Sequence, residues 1–153
     1  MEEYREFAAA IPPFVRYVLT TLEAAGFEAY CVGGCVRDLL LRRTPGDWDV
    51  TTSARPEQTM ALFGDCVLPT GLKHGTVTVC SGMNRVETTT FRTDGAYADH
   101  RHPEQVAFTD SLQEDLSRRD FTVNAMAMEL AGRLHDPFHG REDLKNGVLR
   151  CVG

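Results

Sequence analysis

Hydrophobic residues recur along this chain with two spacings, and each spacing predicts a different secondary structure. Apolar side chains three or four positions apart predict an amphipathic helix that begins at Pro12-Pro13 and ends near Gly26, because proline is tolerated in a first helical turn and glycine readily ends a helix. Short runs rich in β-branched residues predict strands. The other predicted helices are 35–41, 56–63, one that opens at Ser111, a helical stretch after Asp120, and 142–145. The predicted strands are 28–32, 48–52, 76–80, 85–91, 126–130 and 133–135.

The connections between the predicted strands decide the fold class. Ser81-Gly82-Met83-Asn84 joins strands 76–80 and 85–91, and Ala131-Gly132 joins the last two strands. So many hairpins exclude a doubly wound parallel sheet and predict a mixed α/β fold, with a largely antiparallel sheet and flanking helices. A chain of 153 residues is long enough for one domain with its own core, and we assign residues 1–153 to a single domain. The polar segment 94–104 is expected to be a mobile loop.

Composition narrows the choice of function classes. The net charge of −6, from 16 basic and 22 acidic residues, argues against a domain whose main task is to grip nucleic acid, since phosphate affinity comes largely from Lys and Arg. It does not exclude an enzyme that meets nucleic acid at one end. No apolar run approaches about 20 residues, so no membrane span is predicted. The five cysteines contain no C-x-x-C pair, which predicts reduced thiols in a cytoplasmic protein.

Two acidic residues flank a tryptophan at the start of a predicted strand. Residues i and i+2 of a strand point to the same face, so Asp47 and Asp49 are expected to project together while Trp48 points into the core. Adjacent carboxylates repel each other unless a cation lies between them. Hard oxygen ligands of this kind suit Mg²⁺, which commonly takes further ligands from substrate phosphates. The pattern therefore predicts a magnesium site.

A glycine pair lies between a predicted strand and a predicted helix shortly before these acids. Because Gly33 and Gly34 lack side chains, their backbone N–H groups can approach a polyphosphate closely, at the positive end of a helix. Arg37, one turn into the helix, can neutralise a phosphate oxygen. Each pattern alone is common at ordinary turns and strand ends. In combination, an anion-binding turn beside metal-binding carboxylates is what nucleotidyl transfer requires.

Several ordered motifs carry a family resemblance. The chain contains G-G-x-V-R-D-x-L-L-x-R at 33–43, G-D-W-D-V-T-T-S at 46–53, T-G-L-K-H-G-T-V at 70–77, E-T-T-T-F-R-T-D-G at 87–95, E-D-L-S-R-R-D-F-T-V-N-A-M-A at 114–127 and D-P-F at 136–138. This series resembles the class II nucleotidyltransferases, the group that holds the tRNA CCA-adding enzymes and the bacterial poly(A) polymerases. The resemblance extends from residue 30 almost to the end of the chain, and it implies a nucleotidyltransferase head of the polymerase β-like type.

The resemblance implies a role for each acidic and glycine position. Asp47 and Asp49 would hold catalytic Mg²⁺, and Gly33, Gly34 and Arg37 would bind the triphosphate of the incoming nucleotide. Glu87 matches the third acidic position of the family. Three roles stay open for Glu87: it assists the metal site, it assists the attacking 3′-hydroxyl, or it orients Arg37 through an ion pair.

The motif R-R-D-x-x-x-N implies contacts to the sugar and phosphates of the nucleotide. Its residues Arg119, Asp120 and Asn124 follow Arg118. Asp120 and Asn124 would share a face if the segment is helical, where a carboxylate and an amide can bond to ribose hydroxyls. The alternative is that Asp120 caps the helix that follows it.

The activity implied by the resemblance is template-independent addition of C and A from CTP and ATP to the 3′ end of tRNA. The full-length loop 94–103 favours complete CCA addition or A addition. The alternatives are a poly(A) polymerase of the same family, an A-adding enzyme, and a non-catalytic nucleotide-binding subunit that needs a partner chain. The family selects its base with an E-D-x-x-R motif, which we expect beyond residue 153. We therefore expect this chain to be the catalytic head, with the neck, body and tail that grip tRNA outside it.

Overall fold

The computed structural model describes residues 5–93 and 107–153, so the predicted loop 94–104 lies outside the described residues. The helices are α1 (Arg5–Ala8), α2 (Pro13–Ala24), α3 (Gly34–Leu40), α4 (Pro56–Phe63), α5 (Leu112–Ser117) and α6 (Gly140–Asn146). The strands are β1 (Ala29–Val32), β2 (Asp49–Thr52), β3 (Val67–Gly71), β4 (Thr76–Ser81), β5 (Asn84–Thr90), β6 (Arg92–Thr93), β7 (Ala107–Phe108), β8 (Ala127–Met128) and β9 (Leu134–His135). Short 3₁₀ turns occupy Gly64–Cys66, Leu72–His74 and Thr122–Asn124.

One mixed sheet organises these elements. Seven strands lie in the order β3-β4-β5-β2-β1-β8-β9, and β6 pairs with β7 in a separate ribbon. All the neighbours in the large sheet are antiparallel except β2 and β5, which run parallel. The prediction of a mixed α/β fold with a largely antiparallel sheet is confirmed. The single parallel contact is possible because α4, β3 and β4 together return the chain to the same end of the sheet.

The two faces of the sheet pack against different elements. On one face, a core joins the sheet to α2, α3 and α4 through Val15, Leu22, Cys31, Val36, Val50 and Phe63. On the opposite face, a smaller core contains Tyr30, Val32, Phe91 and Leu116 of α5. Every residue of β1 is buried because successive residues enter these two cores in turn. None of the helices within 5–93 and 107–153 is long and apolar enough to cross a membrane.

The prediction of a helix after Asp120 is wrong. Thr122–Asn124 forms a 3₁₀ turn instead. The N–H of Phe121 donates to the Asp120 carboxylate at 2.7 Å, and the N–H of Thr122 donates to the carbonyl of Arg150 at 2.9 Å. Further along, the N–H groups of Asn124 and Ala125 donate to carbonyls three residues back, at Phe121 and Thr122, which is the 3₁₀ pattern rather than the α-helical one.

Two further differences lie in the strands. The predicted strand 48–52 begins at Asp49, so Asp47 lies in the bend that precedes it. Strand β3 was not predicted, because it is an edge strand that contains Pro69 and Gly71. By contrast, Ser111 caps α5 as its sequence position predicts, and its hydroxyl accepts from the N–H of Glu114 at 3.1 Å.

Helix α6 holds the 3₁₀ turn in place. The Thr122 hydroxyl donates to the Asp143 carboxylate at 2.6 Å, and the Arg150 guanidinium donates to the same carboxylate at 3.1 Å. At the start of α6, a Cβ added to Gly140 would lie only 2.1 Å from the carbonyl oxygen of Thr122. The helix therefore packs directly against the backbone of the turn that carries Asn124.

We expect Gly140→Ala to lower the free energy of unfolding by about 1–3 kcal/mol, because the added methyl group meets backbone that cannot move aside. Urea denaturation measures this difference. Gly46→Ala is the matched control, since a Cβ at Gly46 meets nothing within 4 Å, and we expect its effect to stay within about 0.5 kcal/mol. Equal stability of the two variants would contradict the close packing of α6.

Candidate active site

Strands β2 and β5 bring three carboxylates to one cavity. Asp49, the first residue of β2, lies in register with Glu87 of β5. Side chains in register on neighbouring parallel strands share a face and are separated by about 4.8 Å at the backbone. Asp47 lies two residues before Asp49, and all three carboxylates line a cavity of about 400 Å³. Trp48, between the two aspartates, is only 7% exposed and joins the main core, as predicted.

The electrostatics of this cavity favour a bound cation. Burial raises the pKa of the Asp49 carboxyl, and the negative charges of Glu87 and Asp47 raise it further, while Arg119 acts in the opposite direction. Carboxylate oxygens in this arrangement suit Mg²⁺. Among the described residues, no group of three or more His, Cys, Asp or Glu side chains is arranged to hold a metal ion on its own. An ion held by two aspartates would therefore complete its coordination with water or with oxygens of a substrate.

The glycine turn allows two guanidinium groups to approach the backbone. Gly33 has a φ of 79°, a conformation that residues with a side chain rarely adopt. A Cβ at Gly33 would lie 3.7 Å from the Nη1 atom of Arg119, and a Cβ at Gly34 would lie 3.3 Å from the Nη2 atom of Arg37. The N–H of Gly33 donates to the carbonyl of Met126 at 3.2 Å, so the prediction that this N–H is free for a polyphosphate is wrong. The turn does lie against two positive charges, an arrangement suited to anionic groups of a ligand.

Arg37 is connected to the 3₁₀ turn by a short chain of hydrogen bonds. Its Nη1 atom donates to the Asn124 side-chain oxygen at 2.9 Å, and it also forms an ion pair with Asp38 at 3.3 Å. The Asn124 amide donates to Asp120 at 3.3 Å. The N–H of Phe121, and then this amide, lower the pKa of the Asp120 carboxyl. Asp120 and Asn124 therefore meet, although the segment is not α-helical.

One of the three roles left open for Glu87 was to orient Arg37 through an ion pair, and among the described residues the two do not pair. Arg37 makes its polar contacts with Asp38 and Asn124 in the part of the chain that is described, and Glu87 is not among its partners. Glu87 instead lies beside Asp49 across the β2–β5 ladder. Its position thus favours a role at the carboxylate cavity over the orientation of Arg37.

The sequence reasoning missed the carboxylate of Asp115, which is fully buried behind this site. Its oxygens lie 3.1 Å from the Nη2 atom of Arg119 and 3.5 Å from the Nε atom of Arg118. They also accept hydrogen bonds at 3.1 Å from the Thr51 hydroxyl and from the N–H of Arg92. Asp115 thereby connects the R-R-D segment to strand β2, two residues after Asp49. The signal was its spacing, since an acid three and four positions before two arginines shares their helix face.

The nucleotide-binding candidates and the cavity lie on different sides of the carboxylates. The cavity is lined by Asp47, Trp48, Asp49, Thr70, Thr78, Arg85 and Glu87. Its lining includes none of the predicted nucleotide-binding residues Gly33, Gly34, Arg37, Arg119, Asp120 and Asn124. A separate cavity of about 460 Å³, next to Tyr30 and His135, contains no predicted site residue. In the strand order, β2 and β5 lie between the edge hairpin β3–β4, which lines the cavity, and strand β1, which leads into the glycine turn.

Comparisons with known proteins identify the family of this chain. Residues 29–150 match the model of the poly(A) polymerase head domain. A CCA-adding enzyme of Lactobacillus helveticus (strain DPC 4571) is 57% identical over 136 residues, which are 89% of this chain and 34% of the relative. The crystal structure of the Bacillus stearothermophilus CCA-adding enzyme in complex with CTP is 47% identical, with a TM-score of 0.82 over 93% of this chain and 34% of that one.

A further solved structure contains both kinds of ligand. This tRNA nucleotidyltransferase, complexed with a primer tRNA and an incoming ATP analog, is 33% identical, with a TM-score of 0.69 over 89% of this chain and 39% of that one. The chain spans about a third of the length of the curated relatives that it matches. Since the family model covers 122 of the 153 residues (29 to 150), this chain belongs to the poly(A) polymerase head-domain family of nucleotidyltransferases.

Proposed function

We propose that this chain is the catalytic head of a template-independent RNA nucleotidyltransferase, which adds C and A from CTP and ATP to the 3′ end of tRNA. The observation that carries the proposal is the register of Asp49 with Glu87, since these two carboxylates line one cavity with Asp47, while Arg37 and Arg119 lie against the glycine turn. Relatives that are complexed with CTP or with a primer tRNA support the same choice of substrates.

The three carboxylates would act at the bond-forming and bond-breaking step of the reaction. The attacking 3′-oxygen forms a bond to the α-phosphorus of the nucleotide, the bond from that phosphorus to the pyrophosphate oxygen breaks, and the hydroxyl proton passes to solvent. Asp47 and Asp49 would hold magnesium, which would supply positive charge to lower the pKa of the hydroxyl and to stabilise the leaving pyrophosphate. Glu87 adds a third negative charge beside Asp49, which strengthens the attraction for a divalent ion.

The opposite side of the carboxylates receives the nucleotide. Arg37 and Arg119 neutralise the triphosphate, which approaches the backbone at Gly33 and Gly34. Asp120 and Asn124 are already joined by a hydrogen bond, so they present a fixed pair of acceptor and donor groups to ribose hydroxyls. The five cysteines are free, as expected of an enzyme that acts in the cytoplasm.

We expect Asp47→Ala to lower CMP transfer by more than about 10²-fold, because the variant loses a metal ligand. Transfer is measured with radiolabelled CTP or ATP, supplied separately, on a tRNA that lacks its 3′ end and on an unstructured RNA. Asp65→Ala, at an exposed aspartate in a 3₁₀ turn, is the control and should retain activity. Circular dichroism should show the same secondary structure in all three proteins. Extension of the unstructured RNA with ATP alone would instead indicate a poly(A) polymerase.

The pKa of Asp49 leads to a prediction about stability. Its pKa is raised in the folded chain, so ionised Asp49 destabilises the metal-free protein, and this loss grows as the pH rises through the raised pKa. Asn carries no charge at any pH. We therefore expect Asp49→Asn to be more stable than the natural chain at pH 8, with a difference that shrinks as the pH falls towards about 4.

Urea denaturation across this pH range, with and without magnesium, measures the effect. Magnesium should stabilise the natural chain and should stabilise Asp49→Asn less. Asp65→Asn serves as the control, and its difference from the natural chain should not depend on pH. If Asp49→Asn were the less stable protein at pH 8, the electrostatic account of the site would be wrong.

We expect Asp115→Asn to weaken CTP binding by about tenfold, which corresponds to the loss of one charge-assisted hydrogen bond of about 1.4 kcal/mol. The physical reason is that Arg119 loses the charge that holds it beside Gly33. Isothermal titration calorimetry measures the affinity. Asp110→Asn is the control, because Asp110 is 84% exposed and pairs with Arg55 away from the turn. Unchanged CTP affinity in Asp115→Asn would remove Asp115 from the site.

A further inference from the structure

The carboxylate cavity has a wall that the nucleotide-binding residues do not form. Across four neighbouring strands, Thr70 of β3, Thr78 of β4, Glu87 of β5 and Asp49 of β2 follow one another in a row. Thr78 is in register with Glu87, which is in register with Asp49, and the hydroxyls of Thr70 and Thr78 are 2.8 Å apart. A continuous polar surface therefore leads from the carboxylates towards the edge of the sheet.

Arg85 supplies the positive charge of this wall. It lies two residues before Glu87 on β5, so both side chains project from the same face of the sheet, and both line the cavity. Arg85 is exposed, and within residues 5–93 and 107–153 it forms no ion pair. Three carboxylates line the same space, and they would repel an anionic ligand in the absence of a cation.

We infer that Arg85, Thr70 and Thr78 form the subsite for the RNA acceptor, with the last phosphodiester of its strand against Arg85 and its 3′-hydroxyl directed towards Asp47 and Asp49. This inference rests on the proposed function and adds residues to it. An arginine fork matches the two free oxygens of a phosphodiester. Threonine hydroxyls can donate to a phosphate oxygen or bond to a ribose 2′-hydroxyl.

The size and position of the cavity agree with this occupant. A volume of about 400 Å³ lies within the range of pockets that hold one small ligand, so a single terminal nucleotide can enter. Since no predicted nucleotide-binding residue lines the cavity, an acceptor in it leaves the glycine turn free for the triphosphate. An acceptor hydroxyl in the cavity and a triphosphate at the glycine turn would then meet at the carboxylates, where the hydroxyl can attack the α-phosphorus opposite the leaving pyrophosphate.

The test uses the ¹⁵N-labelled 153-residue chain and two probes in the presence of magnesium: CTP, and a ribotrinucleotide with a free 3′-hydroxyl. Nuclear magnetic resonance locates each probe on the protein. We expect the trinucleotide to shift the backbone amide signals of Thr78 and Arg85, and CTP to shift those of Gly33 and Gly34. Shifts at the glycine turn with the trinucleotide, or no shift at all, would overturn the inference.

Substitution of Arg85 provides the second arm. We expect Arg85→Ala to weaken trinucleotide binding about tenfold, to leave CTP affinity within about twofold, and to lower the slope of log affinity against log salt by about 0.7, the value for one lost phosphate contact on a single strand. Arg133→Ala, at an exposed arginine near the β8–β9 turn, is the control and should change neither affinity.

The two arms separate the failure of this inference from the failure of the proposed function. If CTP does not shift the signals of Gly33 and Gly34, the nucleotide site itself is wrong. If CTP binds there but Arg85→Ala weakens CTP and trinucleotide binding equally, or neither, the acceptor subsite alone is wrong.

Discussion

Parallel pairing of β2 with β5 places the half-buried Asp49 beside the exposed Glu87, where the two like charges repel and burial raises the pKa of Asp49 further. The fold tolerates this pair because each strand is also held from its other side. β5 is bonded to β4 from Thr76 to Ser81, and β2 is bonded to β1. The hydrogen bonds of β4 and β1 to these two strands keep the acids adjacent in spite of their repulsion. A divalent cation bound between the carboxylates, as proposed, would relieve that repulsion.

A series of oppositely charged side chains connects the buried Asp115 to the surface of the site. Asp115 is fully buried, a position in which a carboxylate is tolerated only when it is paired and hydrogen-bonded. Its partners Arg118 and Arg119 satisfy that need. Arg119 in turn lowers the pKa of Asp49 and lies beside Gly33. Negative and positive groups thus alternate from the core outwards, and each one limits where the next can lie.

Sequence patterns predicted the fold class and most of the elements because periodicity and turn residues act locally. Strand β1, α3 and the β4–β5 hairpin follow this rule. Strand β3 escaped prediction because its pairing depends on β4 rather than on its own residues, which include Pro69. The turn at Thr122–Asn124 escaped for a similar reason, since its backbone bonds to Arg150, far along the chain.

The candidate site was predictable only in part. Motif order identified the two aspartates, the glycine turn and Asn124, but the sequence could not show that Asn124 contacts Arg37, 87 residues away along the chain. Asp115 and Arg85 were missed because each derives its importance from neighbours on other elements: Thr51 for the first, and the row from Thr78 to Asp49 for the second.

The order of the strands also bears on how such a site can diverge. Thr70 and Thr78 come from the hairpin at one edge of the sheet, whereas the nucleotide-binding groups come from α3 and from the segment between α5 and β8. The carboxylates stand between these two sources. If the edge hairpin holds the acceptor, as inferred above, mutations in it would change which RNA strand is extended and leave the proposed triphosphate-binding residues unchanged.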